Sequence, residues 1–261
     1  MPNTTGLANE CLGGTMDINS VSNSNIESET ERVEAGKKMP AEQSLSHSVP
    51  SYFEGGQYDV IVIGTGHAGC EAAAAIARLG ASVILFGMNL DTMANLPCNP
   101  NIGGTAKGQL VREIDALGGI MGVLADEATI QFRMLNSSKG PAVQSPRAQI
   151  DRRRYQALVK AYLEKIPNLH IRQEEVTELI VEPSKKVVEG VRTRLNVVYR
   201  ASKVIVATGT YLDARIIIGE TDFPSGPDNQ FPALDLGKNL RSHGIRMQRF
   251  KTGTPVRINL N

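Results

Sequence analysis

The sequence predicts an α/β fold organised around a parallel sheet, on three observations. Residues 58–63, Tyr-Asp-Val-Ile-Val-Ile, form a short apolar run that leads straight into Gly64-Thr65-Gly66-His67-Ala68-Gly69. An alanine-rich stretch follows, with Ala73 on its packed face and Gly80 at its end, and Val83-Ile84-Leu85-Phe86 opens a second apolar run. Strand, glycine turn, helix and strand at this spacing make a βαβ unit, the start of a Rossmann-like fold.

Each glycine of the turn has a mechanical reason. Gly64 permits the tight turn, Gly66 lets backbone amides approach a pyrophosphate, and Gly69 lets the helix lie close to the strand. Negative charge is then favoured at the helix N-terminus by unpaired N–H groups and the helix dipole. Gly64, Thr65, Gly66, His67, Ala68 and Gly69 are therefore candidate dinucleotide-binding residues. One element of the fingerprint is missing: the position that should carry an acid for the ribose hydroxyls is Gly87, with Asn89 or Asp91 just beyond as substitutes. On this motif alone NAD and FAD both remain open.

Beyond residue 88 the sequence predicts a long glycine-rich excursion from Asn89 to Gly122 with a helix at 106–117, a polar loop at Asn136–Arg147, and an amphipathic helix at 149–165. Strands are expected near His170–Arg172 and Val176–Val181, then a hairpin with arms Val187–Arg194 and Asn196–Tyr199. Lys203-Val204-Ile205-Val206-Ala207 forms another buried strand that ends in Thr208-Gly209-Thr210, where backbone amides again face a nucleotide. Strand, hairpin and strand with a terminal Ala-Thr-Gly is the layout of two-dinucleotide-binding flavoproteins, which favours FAD.

Residues 1–57 predict a disordered acidic tail: Ser, Asn, Glu and Gly dominate, eight acidic residues stand against Arg32, Lys37 and Lys38, and no periodic apolar face offsets chain entropy. The stretch carries no signal-peptide pattern and is too acidic for an organellar leader. The whole chain has a net charge of +1, no Trp and 5% aromatic residues, so it advertises neither a global basic field nor stacking platforms for RNA. Cys11, Cys70 and Cys98 form no C-x-x-C pair or metal-ligand spacing, which fits a reduced, intracellular protein. No apolar run is long enough to span a bilayer.

The segment Leu96-Pro97-Cys98-Asn99-Pro100-Asn101-Ile102-Gly103-Gly104 holds the candidate nucleophile. Gly103 and Gly104 are expected to open a helix whose N-terminal amides favour the Cys98 thiolate. The alternative is a buried, inert thiol. Cys70, in the first turn of the nucleotide helix, is expected to pack.

Several runs together carry a family resemblance: Val-Ile-Gly-Thr-Gly-His-Ala-Gly-Cys-Glu-Ala-Ala (62–73), Asn-Leu-Asp-Thr (89–92), Pro-Cys-Asn-Pro-Asn-Ile-Gly-Gly (97–104) and Glu-Ile-Asp-Ala-Leu-Gly-Gly (113–119). Leu-Asn-Ser-Ser-Lys-Gly-Pro-Ala-Val (135–143), Ser-Pro-Arg-Ala-Gln (145–149) and Phe-Lys-Thr-Gly-Thr-Pro-Val-Arg (250–257) complete the set. In these runs the chain resembles the glucose-inhibited division protein A family, the FAD-dependent subunit that installs carboxymethylaminomethyl-type groups on C5 of the wobble uridine of certain tRNAs.

The resemblance implies a Rossmann-like FAD-binding domain of the glutathione-reductase type over 58–215 with a catalytic loop at 89–122, and the start of an inserted NADH-binding domain at 216–261. It implies that Gly64 to Gly69 hold the FAD pyrophosphate, that Val176 meets the adenine end through its backbone, and that Thr208 and Gly209 border the cofactor. Cys98 matches a cysteine used in catalysis: a thiolate adding to C6 of the uracil enone activates C5. Lys139 and Arg147 match a loop near the flavin, facing phosphate or the reduced flavin's charge, with a solvated basic loop as the other reading. NADH and methylenetetrahydrofolate are the implied co-substrates. The implied partners are tRNA and a tRNA-modification GTPase, in a heterotetramer built on a homodimer away from any membrane. The implied location is cytoplasmic, or mitochondrial in a eukaryote. Members of the family continue past the point corresponding to Asn261, so a truncated chain is expected. A small-molecule FAD/NADH oxidoreductase and a non-catalytic flavin-binding fragment use the same frame.

Overall fold

The computed structural model describes residues 51–253 apart from Pro183 and Lys185. The first fifty residues of the expected tail, and the end of the run at 250–257, lie outside the described residues. In chain order the elements are β1 (Phe53–Gln57), β2 (Val60–Ile63), α1 (His67–Arg78), β3 (Val83–Gly87), β4 (Asn101–Gly103), α2 (Lys107–Ala116), α3 (Met121–Glu127), β5 (Thr129–Leu135) and β6 (Ser145–Ile150). There follow α4 (Arg152–Leu163), β7 (Leu169–Gln173), β8 (Val176–Glu182), β9 (Val187–Thr193), β10 (Val197–Arg200), β11 (Lys203–Val206), β12 (Arg215–Ile218), β13 (Thr221–Pro224) and α5 (Leu234–Ser242).

The central sheet runs β11-β2-β3-β7 and is parallel throughout. Its two middle strands are buried on both faces, as a continuous apolar run in a parallel sheet requires. Side chains alternate across it. Val60, Val62, Val83 and Leu85 face a core with Ala73, Ala74 and Ala77 of α1 and Tyr155, Val159 and Leu163 of α4. Ile61, Ile63, Ile84 and Phe86 face a second core with Val176, Val191, Tyr199 and, from α5, Leu236 and Leu240. Each fully buried Ile, Leu or Phe contributes about 1.5–3 kcal/mol, so the two faces of these two strands anchor the whole arrangement.

The alanines of α1 make it a strong helix former with a thin side, and this is what lets it sit on β2. A Cβ added to Gly69 would lie 1.8 Å from the carbonyl oxygen of Gly64. Gly64 itself has φ +110° and abuts the Ala207 carbonyl, so the turn accepts no side chain there. Glu71, on the same helix, accepts from the backbone N–H of Ile120 at 3.0 Å and of Met121 at 2.6 Å, capping α3, which has no cap of its own.

The structure departs from the sequence reading at four places. Phe53–Gln57, assigned to the tail, is a strand paired parallel with β10, so the folded part begins earlier than residue 58. Gly103 and Gly104 do not open a helix: Asn101–Gly103 is a strand in the β4-β6-β5 sheet, and α2 starts only at Lys107. The loop expected to run to Arg147 ends at Gln144, because Ser145–Ile150 pairs with both β4 and β5. That strand also delays the next helix, expected from 149, to Arg152, where the Asp151 carboxylate caps it by accepting from the N–H groups of Arg153 and Arg154. Within the segment expected to start an inserted domain, α5 places Leu236 and Leu240 in the second core.

Candidate functional site

A cleft of about 280 Å³ opens at the carboxyl ends of the central strands, where ligands of open α/β sheets bind. The turn from Gly64 to Ala68 lines one side, Gly87 to Asn89 and Glu174 to Val176 a second, and Ala207 to Tyr211 a third. Eight of the sequence-predicted residues meet here: Gly64, Thr65, Gly66, His67, Ala68, Val176, Thr208 and Gly209. Gly69 lies beneath the lining, where it sets the approach of α1 to β2.

The N-terminus of α1 faces this cleft without a side-chain cap and without an acid in its first turn. Its first-turn amides and the positive end of the helix dipole are thus available to an anion. A Cβ added to Gly66 would meet nothing within 4 Å, so the space above that residue belongs to the cleft and not to the protein.

Behind the turn, the His67 ring stacks on Tyr155 with centroids 5.9 Å apart, and its Nε2 is buried without a partner among the described residues. Burial, aided by the nearby Lys107 charge, lowers its pKa from 6.5 to about 4. Between these values the unfolded chain binds a proton that the folded chain does not. The stabilisation is therefore complete above about pH 6.5 and is lost, by roughly 3 kcal/mol, as pH falls toward 4. The melting temperature of ligand-free protein is expected to drop more between about pH 7 and pH 4.5 in the native sequence than in His67→Asn; parallel curves refute this account.

Cys70 is buried, donates its Sγ–H to the Thr65 carbonyl at 3.3 Å, and has a pKa pushed up to about 12 by burial. It is a packed thiol, as expected. Cys98 is half-buried and follows Pro97, the last residue of its loop to line the cleft, but does not itself line it. Lys107 donates Nζ–H to the Asn101 carbonyl at 3.0 Å, close behind that loop, and burial lowers its pKa. Arg147 is on β6, between Gly103 on one side and Arg133 on the other, and Lys139 sits in an exposed turn closed by its own N–H on the Asn136 carbonyl. Neither lines the cleft.

The sequence reading missed several lining residues. Glu174 and Glu175 follow β7 directly, and an acid just past a predicted strand was the signal for them. Glu175 is held by Arg194 in a bidentate pair at 2.6 and 2.8 Å, and Arg194 also reaches Asp235 at 3.0 Å. At the opposite end Thr92 donates to Gln230 at 3.2 Å, and Asn95 and Arg152 both donate to Asp228, at 3.1 and 3.0 Å. Of the two substitutes for the missing acid, Asn89 lines the cleft but spends its side-chain oxygen on the Asp91 N–H, while Asp91 is exposed and paired with Lys160 at 3.5 Å. Among the described residues there is no cluster of metal-ligating side chains, and no helix is long and apolar enough to cross a membrane.

Comparison with known proteins agrees with this arrangement. The family model for glucose inhibited division protein A matches residues 59–261. The tRNA uridine 5-carboxymethylaminomethyl modification enzyme MnmG of Caldicellulosiruptor saccharolyticus is 57% identical over 206 residues, 79% of this chain and 33% of the relative. That of Alkaliphilus oremlandii is 55% identical, over 79% of this chain and 32% of the relative. The structure of Aquifex aeolicus GidA superposes with a TM-score of 0.72 at 50% identity, covering 76% of this chain and 33% of that one. A GidA-related protein from Thermus thermophilus, at 24% identity and a TM-score of 0.53, shares the fold. The chain spans about a third of the length of the curated relatives it matches. On the family model and these identities, the chain belongs to the glucose inhibited division protein A family.

Proposed function

We propose that residues 51–253 form the FAD-binding and thiol-bearing part of an enzyme that modifies C5 of the wobble uridine in tRNA. The observation that carries this reading is the cleft: an uncapped helix N-terminus, a glycine turn that leaves room above Gly66, and the returning Ala207-Thr208-Gly209 segment all border one space. Those features suit a dinucleotide pyrophosphate, and the two relatives reported above, which are named as tRNA uridine modification enzymes, support the tRNA substrate.

When bound, FAD supplies the ring that takes electrons from NADH and passes them to the carbon unit donated by methylenetetrahydrofolate. The chain's own residues do the rest. The α1 amides hold the pyrophosphate and the backbone at Val176 meets the adenine. Cys98, next in sequence to the cleft-lining Pro97, adds as thiolate to C6 of the uracil ring, forming a C–S bond and moving the C5–C6 electron pair toward the C4 oxygen, which makes C5 nucleophilic. Lys139 and Arg147 offer positive charge to phosphate or to the reduced flavin. A GTPase partner and a second copy of this subunit complete the assembly in this reading.

The test is a visible absorption spectrum of the purified 261-residue chain, followed by release and identification of any flavin. The expected result is a flavin spectrum and released FAD in near-equimolar amount. A colourless protein that also fails to take up added FAD overturns the cofactor assignment.

A further inference from the structure

We propose that Glu174 is the ribose-binding acid of this cleft, standing just past the end of the strand next to the one that ordinarily carries it. The proposal rests on the dinucleotide reading above. In the usual arrangement the acid ends the second strand of the βαβ unit and accepts from the ribose hydroxyls. Here that position is Gly87, and a Cβ there would lie 2.5 Å from Thr65 Cγ2 and 2.6 Å from its Oγ1. The Cβ of Thr65, fixed by the backbone of the glycine turn, lies 3.1 Å from the same position, so turning the Thr65 side chain does not clear it. The end of β3 therefore cannot hold a carboxylate while the turn keeps its shape.

The neighbouring strand β7 offers the nearest replacement. Gly87 is paired with Gln173, the last residue of β7, so Glu174 is the first residue beyond the sheet on the strand beside Gly87. It lines the cleft two residues before Val176. Its carboxylate is held on one side only: the Tyr199 hydroxyl donates to Oε1 at 2.9 Å, while Oε2 is buried and finds no partner among the described residues. A carboxyl oxygen shielded from water without a donor is costly, and a ribose hydroxyl is the donor that the bordering adenine and pyrophosphate positions would bring. Tyr199 is locked in turn, edge-on to Phe86 in the second core with centroids 4.9 Å apart, and burial pushes its pKa up to about 12, so it stays a donor. Glu175, by contrast, has its carboxylate engaged by Arg194 through both oxygens and is not the acceptor.

The experiment is a calorimetric titration of the flavin-free 261-residue chain with ADP, with its dideoxyribose analogue, and with an analogue phosphorylated on the ribose hydroxyl. The native sequence is expected to prefer ADP to the dideoxyribose analogue by about 10-fold or more, the scale of a hydrogen bond to a charged group. Glu174→Ala is expected to bind the two alike. Glu174→Gln, which keeps an acceptor for Tyr199, is expected to narrow the preference and to gain affinity for the phosphorylated analogue, because a carboxylate repels that phosphate and an amide does not. No misfolded protein shows such a gain. If Glu174 serves only to hold Tyr199, the variants lower the melting temperature while the ratio between ADP and its dideoxyribose analogue persists, and the proposal is overturned with the dinucleotide reading intact. If the native chain binds neither ADP nor FAD, the dinucleotide reading falls and this proposal with it.

Discussion

Replacing Gly69 with alanine is expected to cost at least about 3 kcal/mol of stability, while the larger change Gly66→Val leaves the fold intact and abolishes dinucleotide binding. The two positions are three residues apart in one turn, and sequence spacing alone ranks them as equals. Geometry separates them. At Gly69 the new Cβ would stand 1.8 Å from the Gly64 carbonyl oxygen, a backbone atom whose own residue is pinned against Ala207, so α1 must move off β2 and open the first core. At Gly66 the backbone has φ −71°, which any residue adopts, and no heavy atom lies within 4 Å of the added Cβ. The valine methyl groups project into the space that the pyrophosphate needs, and a loss of at least about 100-fold in FAD affinity follows, some 3 kcal/mol. Thermal melting and a flavin titration on both variants check the pair. A stable Gly69→Ala protein means that α1 does not rest on the turn as described, and undiminished flavin binding by Gly66→Val means that the ligand does not use it.

The contrast shows which parts of the molecule a sequence can reveal. The βαβ start was legible because its information is local: a four-residue apolar strand, three glycines at fixed offsets and an alanine-rich helix each act through neighbours within thirty residues. The β9-β10 hairpin was legible for the same reason, its two strands being joined by the short connection at 194–196. What failed was non-local. Phe53–Gln57 is polar, glycine-rich and mostly exposed, and becomes a strand only because Val197–Arg200 offers an edge more than 140 residues later in the chain. Ser145–Ile150 contains Pro146 and reads as a loop until β4 and β5 bracket it. β5 did carry a signal, the alternation of Ile130, Phe132 and Met134 with polar residues, but those apolar side chains are exposed here and sit on an edge strand. The candidate site divides in the same way. Residues that bind through backbone geometry, such as Gly64 and Gly66, announce themselves by type, whereas Glu174 is one acid among many until Gly87 is seen to exclude a side chain and Tyr199 is seen to hold the carboxylate.

Cys98→Ser is expected to reduce uridine modification by at least about a thousandfold in a full-length enzyme that carries this segment, with flavin binding unchanged. The substitution exchanges one atom in a half-buried side chain, so it removes little packing. What it removes is the thiolate: a thiol ionises appreciably near neutral pH, while a serine hydroxyl without an adjacent base does not, and the addition to C6 then lacks its nucleophile. The helix once expected to support that thiolate begins nine residues away at Lys107, behind the strand Asn101–Gly103, so the activating groups must be sought elsewhere around the loop. Lys107 is a half-buried cation tied to this loop, through Nζ–H on the Asn101 carbonyl at 3.0 Å. The measurement is the yield of modified nucleoside from tRNA, read beside the flavin content of the same preparation. Full activity in Cys98→Ser removes the thiol from the chemistry, and loss of flavin along with activity makes Cys98 a structural residue. Loss of modification with full flavin content leaves the residue its one remaining task, bond formation to the uracil ring.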